Sequence, residues 1–227
     1  MRAKLLLACA MTSVPTFAIL LGGALEIDDR VMALTRGARA IAADGGMAHA
    51  QALGMTPELW VGDFDSTSPD LMDKFSATPR LPFPAEKNFT DGEIAIDQAI
   101  ELGAERLDLV GSFGGARTDH ALSHLLQAVT LAERGLDVVL TSGVEEAVPL
   151  LPGSRDLDLP AGSLFSVIAF TALTGLSLSG VKYPLDRADI AFGASRTISN
   201  VAEGPLTASL VSGRALIIAR PHDFSGA

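Results

Sequence analysis

The sequence predicts an α/β domain built on a largely parallel sheet, followed by an all-β sandwich. Two patterns carry this. From about residue 17 to 135 short apolar runs alternate with longer stretches of helical spacing, as βαβ units do. After residue 136 the runs stay short, lose helical spacing and are separated by Gly and Pro turns at fairly regular intervals, as in a small sandwich or barrel. A third observation bears on function. Acidic and glycine-rich turns follow several of the early runs, and open parallel sheets bind ligands beyond the carboxyl ends of their strands.

Composition narrows the class. The 227 residues can bury a full core, as one large domain or two small ones. With 48% hydrophobic and 19% charged residues the chain reads as folded. A net charge of −10 and the lack of any Lys/Arg-rich stretch argue against a nucleic-acid partner. A polyanionic substrate would need a metal to neutralise it. Cys9 stands alone, which excludes an internal disulfide framework and fits a reducing, cytoplasmic compartment.

Residues 1–4 carry Arg2 and Lys4 and 5–10 are apolar, similar to a short signal peptide but too brief to span a bilayer, and no later run reaches eighteen apolar residues. Residues 1–15 are therefore read as an extension or a misplaced start, with Met11 a candidate first residue. Strands are expected at 17–21, 38–42, 59–61 and 107–110, and helices at 29–35, 45–53, 91–102 and 118–134. These make an α/β part over 16–137. Further strands at 138–140, 164–170, 176–178, 190–192, 208–211 and 215–219 make a sandwich over 138–221, with turns at Pro152-Gly153, Ala161-Gly162, Thr174-Gly175, Ser179-Gly180, Gly204-Pro205 and Ser212-Gly213.

Four segments carry chemistry. Gly62-Asp63-Phe64-Asp65-Ser66 sets two carboxylates at i, i+2, and Ala43-Asp44-Gly45-Gly46 stands upstream. Such a cluster suits Mg²⁺, which takes one or two carboxylates plus substrate phosphates, although Asp and Gly are ordinary turn residues too. In Lys87-Asn88-Phe89-Thr90-Asp91-Gly92-Glu93, Thr90 and Glu93 can form a capping box. Asp91 is not needed for the cap and can bind metal or accept a proton from a substrate hydroxyl. The segment from Gly111 to His120 joins a strand to a helix, where glycine N–H groups, the helix start and Arg117 can meet phosphate. It is neither a Walker loop nor the dinucleotide fingerprint. His120 and His124, at i, i+4, could share a metal, but no third ligand follows, and a helix-start or nucleotide-contacting role suits His120 better.

Taken in order, these segments resemble the thiamine pyrophosphokinase family from about residue 17 to 219. The resemblance rests on Ala43–Gly46, Gly62–Ser66, Lys87-x-x-Thr90-Asp91, Gly114-Gly115-x-Arg117-x-Asp119-His120, Gly180-Val181-Lys182-Tyr183-Pro184-Leu185 and Thr197-Ile198-Ser199-Asn200. It implies a Rossmann-like nucleotide domain followed by a β-sandwich, a homodimer with shared sites, and transfer of pyrophosphate from ATP to the hydroxyl of thiamine with release of AMP. Asp44, Asp63 and Asp65 then hold Mg²⁺, with Asp63, Asp65 and Asp91 at the reacting centre and Asp91 as base or hydroxyl orienter. Gly45, Gly46, Gly114, Gly115, Arg117, Asp119 and His120 bind nucleotide. Tyr183, where the family commonly has Trp, lines the thiamine pocket with Thr197, Ser199 and Asn200, and a cationic ring stacked on it gains about 0.5–2 kcal/mol.

The chain departs from the family at Asn88, where Asp is frequent, at His124, where Asn is frequent, and at Val201, where a polar or acidic residue is usual. Two other readings compete. Asp63-Phe64-Asp65-Ser66-Thr67 also fits the aspartyl-phosphate phosphohydrolases, with Asp63 as nucleophile. That motif normally ends a first strand, whereas two strands precede it here. A non-catalytic nucleotide or thiamine sensor is the other, against which so many carboxylates argue.

Overall fold

The computed structural model describes residues 14–64, 67–84, 88–115 and 117–226. Strands β1 (Thr16–Leu20), β2 (Arg39–Ala43), β3 (Leu59–Gly62), β4 (Arg80–Pro82), β5 (Arg106–Val110) and β6 (Asp137–Thr141) pair in parallel in the order β6-β5-β1-β2-β3-β4. The chain winds outward from β1 to β4, then crosses back to β5 on the other side of β1. The winding direction therefore reverses between β1 and β5, whose register runs from Thr16↔Arg106 to Leu20↔Val110.

Helices α1 (Asp29–Leu34), α2 (Met47–Ala52), α3 (Pro69–Lys74), α4 (Asp91–Glu101) and α5 (Thr118–Glu133) make the crossovers. Phe17, Ile19, Ile41, Leu107 and Leu109 are buried with Ala95, Ile96 and Ala99 of α4 and Ala128 and Val129 of α5. Ala18, Leu20, Ala42 and Val110 are buried with Val31 of α1, Met47 and Ala50 of α2, and Trp60. Helices on both faces explain why these strands read as unbroken apolar runs instead of alternating ones.

The antiparallel part comprises β7 (Glu146–Leu150), β8 (Gly153–Leu157), β9 (Leu164–Ala169), β10 (Leu173–Val181), β11 (Leu185–Ile190), β12 (Asn200–Leu210) and β13 (Ala215–Arg220). It is hydrogen-bonded onto the parallel part, because β7 pairs antiparallel with β6 and the order continues β7-β13-β9-β12-β10-β11. Strand β6, placed by the sequence with the sandwich, pairs parallel to β5 from Arg106↔Asp137 to Val110↔Thr141. The long α5 crossover returns it in that direction, so the parallel part runs to Thr141 and not to a break at 137/138.

Three expected turns lie inside strands. Thr174-Gly175 and Ser179-Gly180 fall in β10 and Gly204-Pro205 in β12. A Cβ on Gly180, at φ 72°, would stand 2.5 Å from the Pro205 carbonyl oxygen, so glycine admits a close crossing at this bulge. There β12 changes partners: Asn200 and Val201 pair with β9, whereas Leu206–Leu210 pairs with β8. One strand thus joins both layers of the sandwich, which encloses Leu150, Phe165, Val167, Leu176, Leu178 and Ile217.

Ion pairs tie the two parts together. The Arg30 guanidinium on α1 holds both oxygens of Glu146 on β7 at 2.7 Å. Arg106 reaches Asp108 and Asp137, and Arg155 of β8 reaches the other Asp137 oxygen at 2.7 Å. Among the described residues no helix is long and apolar enough to cross a membrane.

Candidate active site

The reversal between β1 and β5 opens a cleft of about 590 Å³, of a size suited to a small ligand. Loops after β1, β2, β3 and β5 and the starts of α4 and α5 enclose it. Its walls include Asp44, Gly45, Asp63, Asp91, Gly114, Gly115, Arg117 and His120. Residues from four separate sequence segments therefore meet at one sheet edge.

The first loops are brought together backbone against backbone. A Cβ on Gly46 would overlap the Leu20 carbonyl, and Gly23 N–H donates to the Gly111 carbonyl at 3.0 Å. Gly46 is accordingly buried beneath the cleft, letting β2 end close to β1. His49 donates from Nε2 to the Gly23 carbonyl at 2.9 Å and anchors the loop from below.

Asp44 and Asp63 end adjacent strands. Asp44 sits at φ 41° and Phe64 at φ 62°, left-handed backbone that non-glycine residues seldom adopt. The buried Trp60 steadies both positions: its Nε1 donates to the Asp44 carbonyl at 2.9 Å, and its ring meets Phe64 edge-on at 5.1 Å. A Cβ on Gly62 would lie 3.4 Å from Asp44 Oδ1, so the Asp44 carboxylate lies over the strand end from which Asp63 extends. Asp65 and Ser66 fall outside the described residues, as do Lys87 and Cys9. Among the described residues no group of three His, Cys, Asp or Glu forms a closed metal cage. Two hard carboxylates at an open cleft could instead serve an ion that also takes water and substrate oxygens.

The expected capping box forms at α4. Thr90 Oγ1 accepts from Glu93 N–H at 3.2 Å, and Glu93 Oε2 accepts from Thr90 N–H at 2.9 Å. A cap of this kind contributes about 1 kcal/mol. With the helix start fixed by its neighbours, Asp91 is positioned on the cleft wall.

At the opposite wall Gly114 and Gly115 both take positive φ, 85° and 87°, and lead into the 16-residue α5. The positive end of the helix dipole favours an anion there. Arg117 holds Asp119 through two bonds, at 2.9 and 2.8 Å, in solvent. The guanidinium keeps the Asp119 carboxyl far below the usual carboxylate range. Asp119 does not line the cleft and meets it through Arg117. His120 lines it, and His124, whose ring stands 6.3 Å away and edge-on, lines it too. Sequence reasoning did not single out Ser112, which also borders the cleft and whose buried hydroxyl has no partner among the described residues. Position after a strand is a signal that could have found it.

The second predicted group gathers elsewhere. Tyr183 is 58% exposed, and Asn200 beneath it is buried, bonded through its amide to the Tyr183 backbone. The Thr197 hydroxyl is buried and donates to the Val167 carbonyl at 2.6 Å. Ser199 is exposed at φ 59°, its N–H held by Ser166 Oγ at 3.0 Å. Tyr183 and Ser199 thus present side chains to solvent, whereas Asn200 holds the Tyr183 backbone and Thr197 bonds Val167. None of the four lines the cleft that holds the carboxylates.

Fold and cleft define a class: an α/β protein with a carboxylate-lined, glycine-rich cleft at its switch point and a β-sandwich built onto its sheet. Comparison with known proteins gives the family. Residues 33–140 match the thiamin pyrophosphokinase catalytic domain, and residues 155–213 match the thiamin pyrophosphokinase vitamin B1 binding domain. The thiamine pyrophosphokinase of Bacillus subtilis (strain 168) is 30% identical over 151 residues, 65% of this chain and 70% of that protein. A crystal structure of thiamine pyrophosphokinase from Bacillus subtilis superposes with a TM-score of 0.80 at 26% identity, covering 92% of this chain and 99% of that one. The thiamin pyrophosphokinase of Geobacillus thermodenitrificans gives 0.77 at 26% identity, covering 93% and 100%. That of Candida albicans, at 14% identity, shares the fold with a TM-score of 0.75, covering 92% and 90%. The chain belongs to the thiamine pyrophosphokinase family, enzymes that form thiamine diphosphate from thiamine.

Proposed function

We propose that the protein transfers the pyrophosphoryl group of ATP to the hydroxyl of thiamine, releasing AMP, and that it does so with Mg²⁺. The observation that carries this reading is the facing of Asp44 and Asp63 across one cleft from the Gly114-Gly115 loop and the start of α5. Asp44 and Asp63 would hold the ion, with Asp65 as the third expected ligand. Bound there, Mg²⁺ neutralises triphosphate charge that a chain of net charge −10 cannot otherwise offset.

The chain's own residues position and polarise. Backbone N–H groups at Gly114 and Gly115 and the α5 terminus receive phosphate oxygens, and Arg117 turns its planar fork from Asp119 to the nucleotide. Asp91, fixed by the capping box, orients the acceptor hydroxyl toward the β-phosphorus. Orientation and preorganised charge supply most of the acceleration. The acceptor pocket forms around Tyr183 and Ser199 of a second copy in a homodimer. Two observations support that assembly: these residues lie outside the carboxylate cleft, and Tyr183, Phe192 and Ile198 leave apolar surface exposed. Such an enzyme would work in the cytoplasm.

The test is product identity. Purified protein with Mg-ATP and thiamine should yield AMP and thiamine diphosphate one for one, with negligible ADP, and omission of thiamine should nearly abolish AMP formation. Dominant ADP or free phosphate, or a phosphorylated Asp63, would replace this reading with an ordinary kinase or a phosphohydrolase.

A further inference from the structure

His124 lies on α5 and borders the cleft. Its Nδ1 stands 2.6 Å from the Ser112 carbonyl oxygen. A carbonyl has no proton to give, so Nδ1 carries the hydrogen, and in the neutral ring Nε2 is left as an acceptor. Nε2 faces the first turn of α4, where a Cβ on Gly92 would stand 3.5 Å from it. The same Cβ would stand 2.9 Å from Leu21 Cδ2, so glycine lets the helix start pack close to the ring.

The surroundings keep the ring neutral. Burial is the largest influence and lowers its pKa below the ordinary 6.5, and the neighbouring His120 acts in the same sense. The Ser112 carbonyl and Glu93 pull the other way and do not reverse it. The groups that face the ring are His120 on its own helix and Asp91 and Glu93 on α4, while the loop at 111–115 brings no titratable side chain. A phosphate has no proton to offer a neutral acceptor, whereas a hydroxyl does.

We propose that Nε2 of His124 is the base that takes the proton of the acceptor hydroxyl during pyrophosphoryl transfer. The proposal rests on the reading given under Proposed function. The O–H bond breaks with its proton passing to Nε2, and the oxygen forms a bond to the β-phosphorus. The bond from that phosphorus to the bridging oxygen breaks, its electron pair leaving on AMP, and the imidazolium afterwards gives its proton to water. Asp91 orients the same hydroxyl from the helix start. Asn is frequent at this position in the family the sequence resembles, so the base is a feature of this chain and not a requirement of the reaction.

His124→Asn is the informative variant, because an amide N–H can still donate to the Ser112 carbonyl while no basic nitrogen remains. Turnover should fall roughly ten- to a hundredfold, modest because a loose transition state needs little early proton removal. The acid limb of the pH profile of kcat/KM should vanish with it. Affinity for a non-hydrolysable ATP analogue should stay within about twofold, and the melting temperature should be unchanged. Nitrogen-15 NMR of the unsubstituted protein is a second readout, expected to show the Nδ1–H tautomer and a pKa below 6.5. Wild-type turnover and an intact acid limb in His124→Asn overturn the proposal, as does weakened nucleotide binding with kcat kept. An Nε2–H tautomer, or titration above pH 7, overturns it even if the variant does not fold. A parent protein that makes no thiamine diphosphate fails at the product assay, run first, and removes the function and the base together.

Discussion

Asn200 clasps the backbone of Tyr183 with both ends of its amide. Oδ1 accepts from the Tyr183 N–H at 3.1 Å, and Nδ2 donates to the Tyr183 carbonyl at 2.9 Å. Oδ1 also accepts from Val201 N–H at 2.8 Å. A side chain thus imitates a paired strand and holds an exposed aromatic ring in place. Asn200→Ala should lower stability by about 2–3 kcal/mol in urea melts, since it leaves buried backbone groups without partners. Tyr183→Ala should leave stability nearly unchanged and weaken thiamine binding alone, read by calorimetry. Equal loss of stability in the two variants would contradict this division.

Removal of one cleft carboxylate should harm chemistry far more than folding. Asp63→Asn is expected to lower turnover at least a hundredfold at saturating Mg²⁺, in the range seen when a group stabilising transition-state charge is lost. Circular dichroism and the melting temperature should match the parent. Near-normal turnover would take Asp63 out of the site.

The proposed sharing of sites between two copies can be tested by mixing. Asp63→Asn subunits, nearly inactive when pure, and Tyr183→Ala subunits, slow when pure at low thiamine, should gain activity at low thiamine on co-assembly, because one mixed site then carries neither change. If mixtures gain no activity while sedimentation shows hybrid dimers, each site is built from one chain.

Asp108 should give stability an unusual pH dependence. The residue is fully buried on β5, Arg106 Nε donates to its Oδ1 at 3.0 Å, and its Oδ2 has no partner among the described residues. Burial pushes its carboxyl up from 3.8 to about 6, against the attraction of Arg106 and with a smaller push from Asp137. The folded state therefore holds the proton more tightly than the unfolded chain. Its contribution is complete below pH 4 and is lost as pH rises through 6, a decline of about 3 kcal/mol. Asp108→Asn does not titrate. The stability of the parent relative to that variant, from urea melts at pH 4 and pH 7, should fall by about this amount, and a constant difference would refute it.

The sequence by itself determined the alternation of strand and helix over the first part, the capping box at Thr90 and Glu93, and the family. Those features are local: apolar period, cap chemistry and turn residues act over a few positions and leave marks within a short window. Short elements left weaker marks. Helix α3 and strands β4, β7 and β8 were not anticipated, because Arg80-Leu81-Pro82 or Gly153–Leu157 gains its ladder from a partner strand and not from its own pattern.

Only the tertiary structure decided which distant residues meet. Ser179-Gly180 and Gly204-Pro205 read as turns, yet they cross inside paired strands, because glycine and proline equally mark a bulge where two backbones come close. The pairing of β6 with β5 depended on where the α5 crossover lands. Trp60 reads as core from its neighbours, and that its Nε1 steadies the strained Asp44 depends on the register of β2 against β3. His124 reads as one member of an i, i+4 pair, and its proton is fixed by the Ser112 carbonyl on another loop. Composition and spacing name the groups available for chemistry, whereas hydrogen-bond partners brought from elsewhere in the chain set their tautomer, strain and charge.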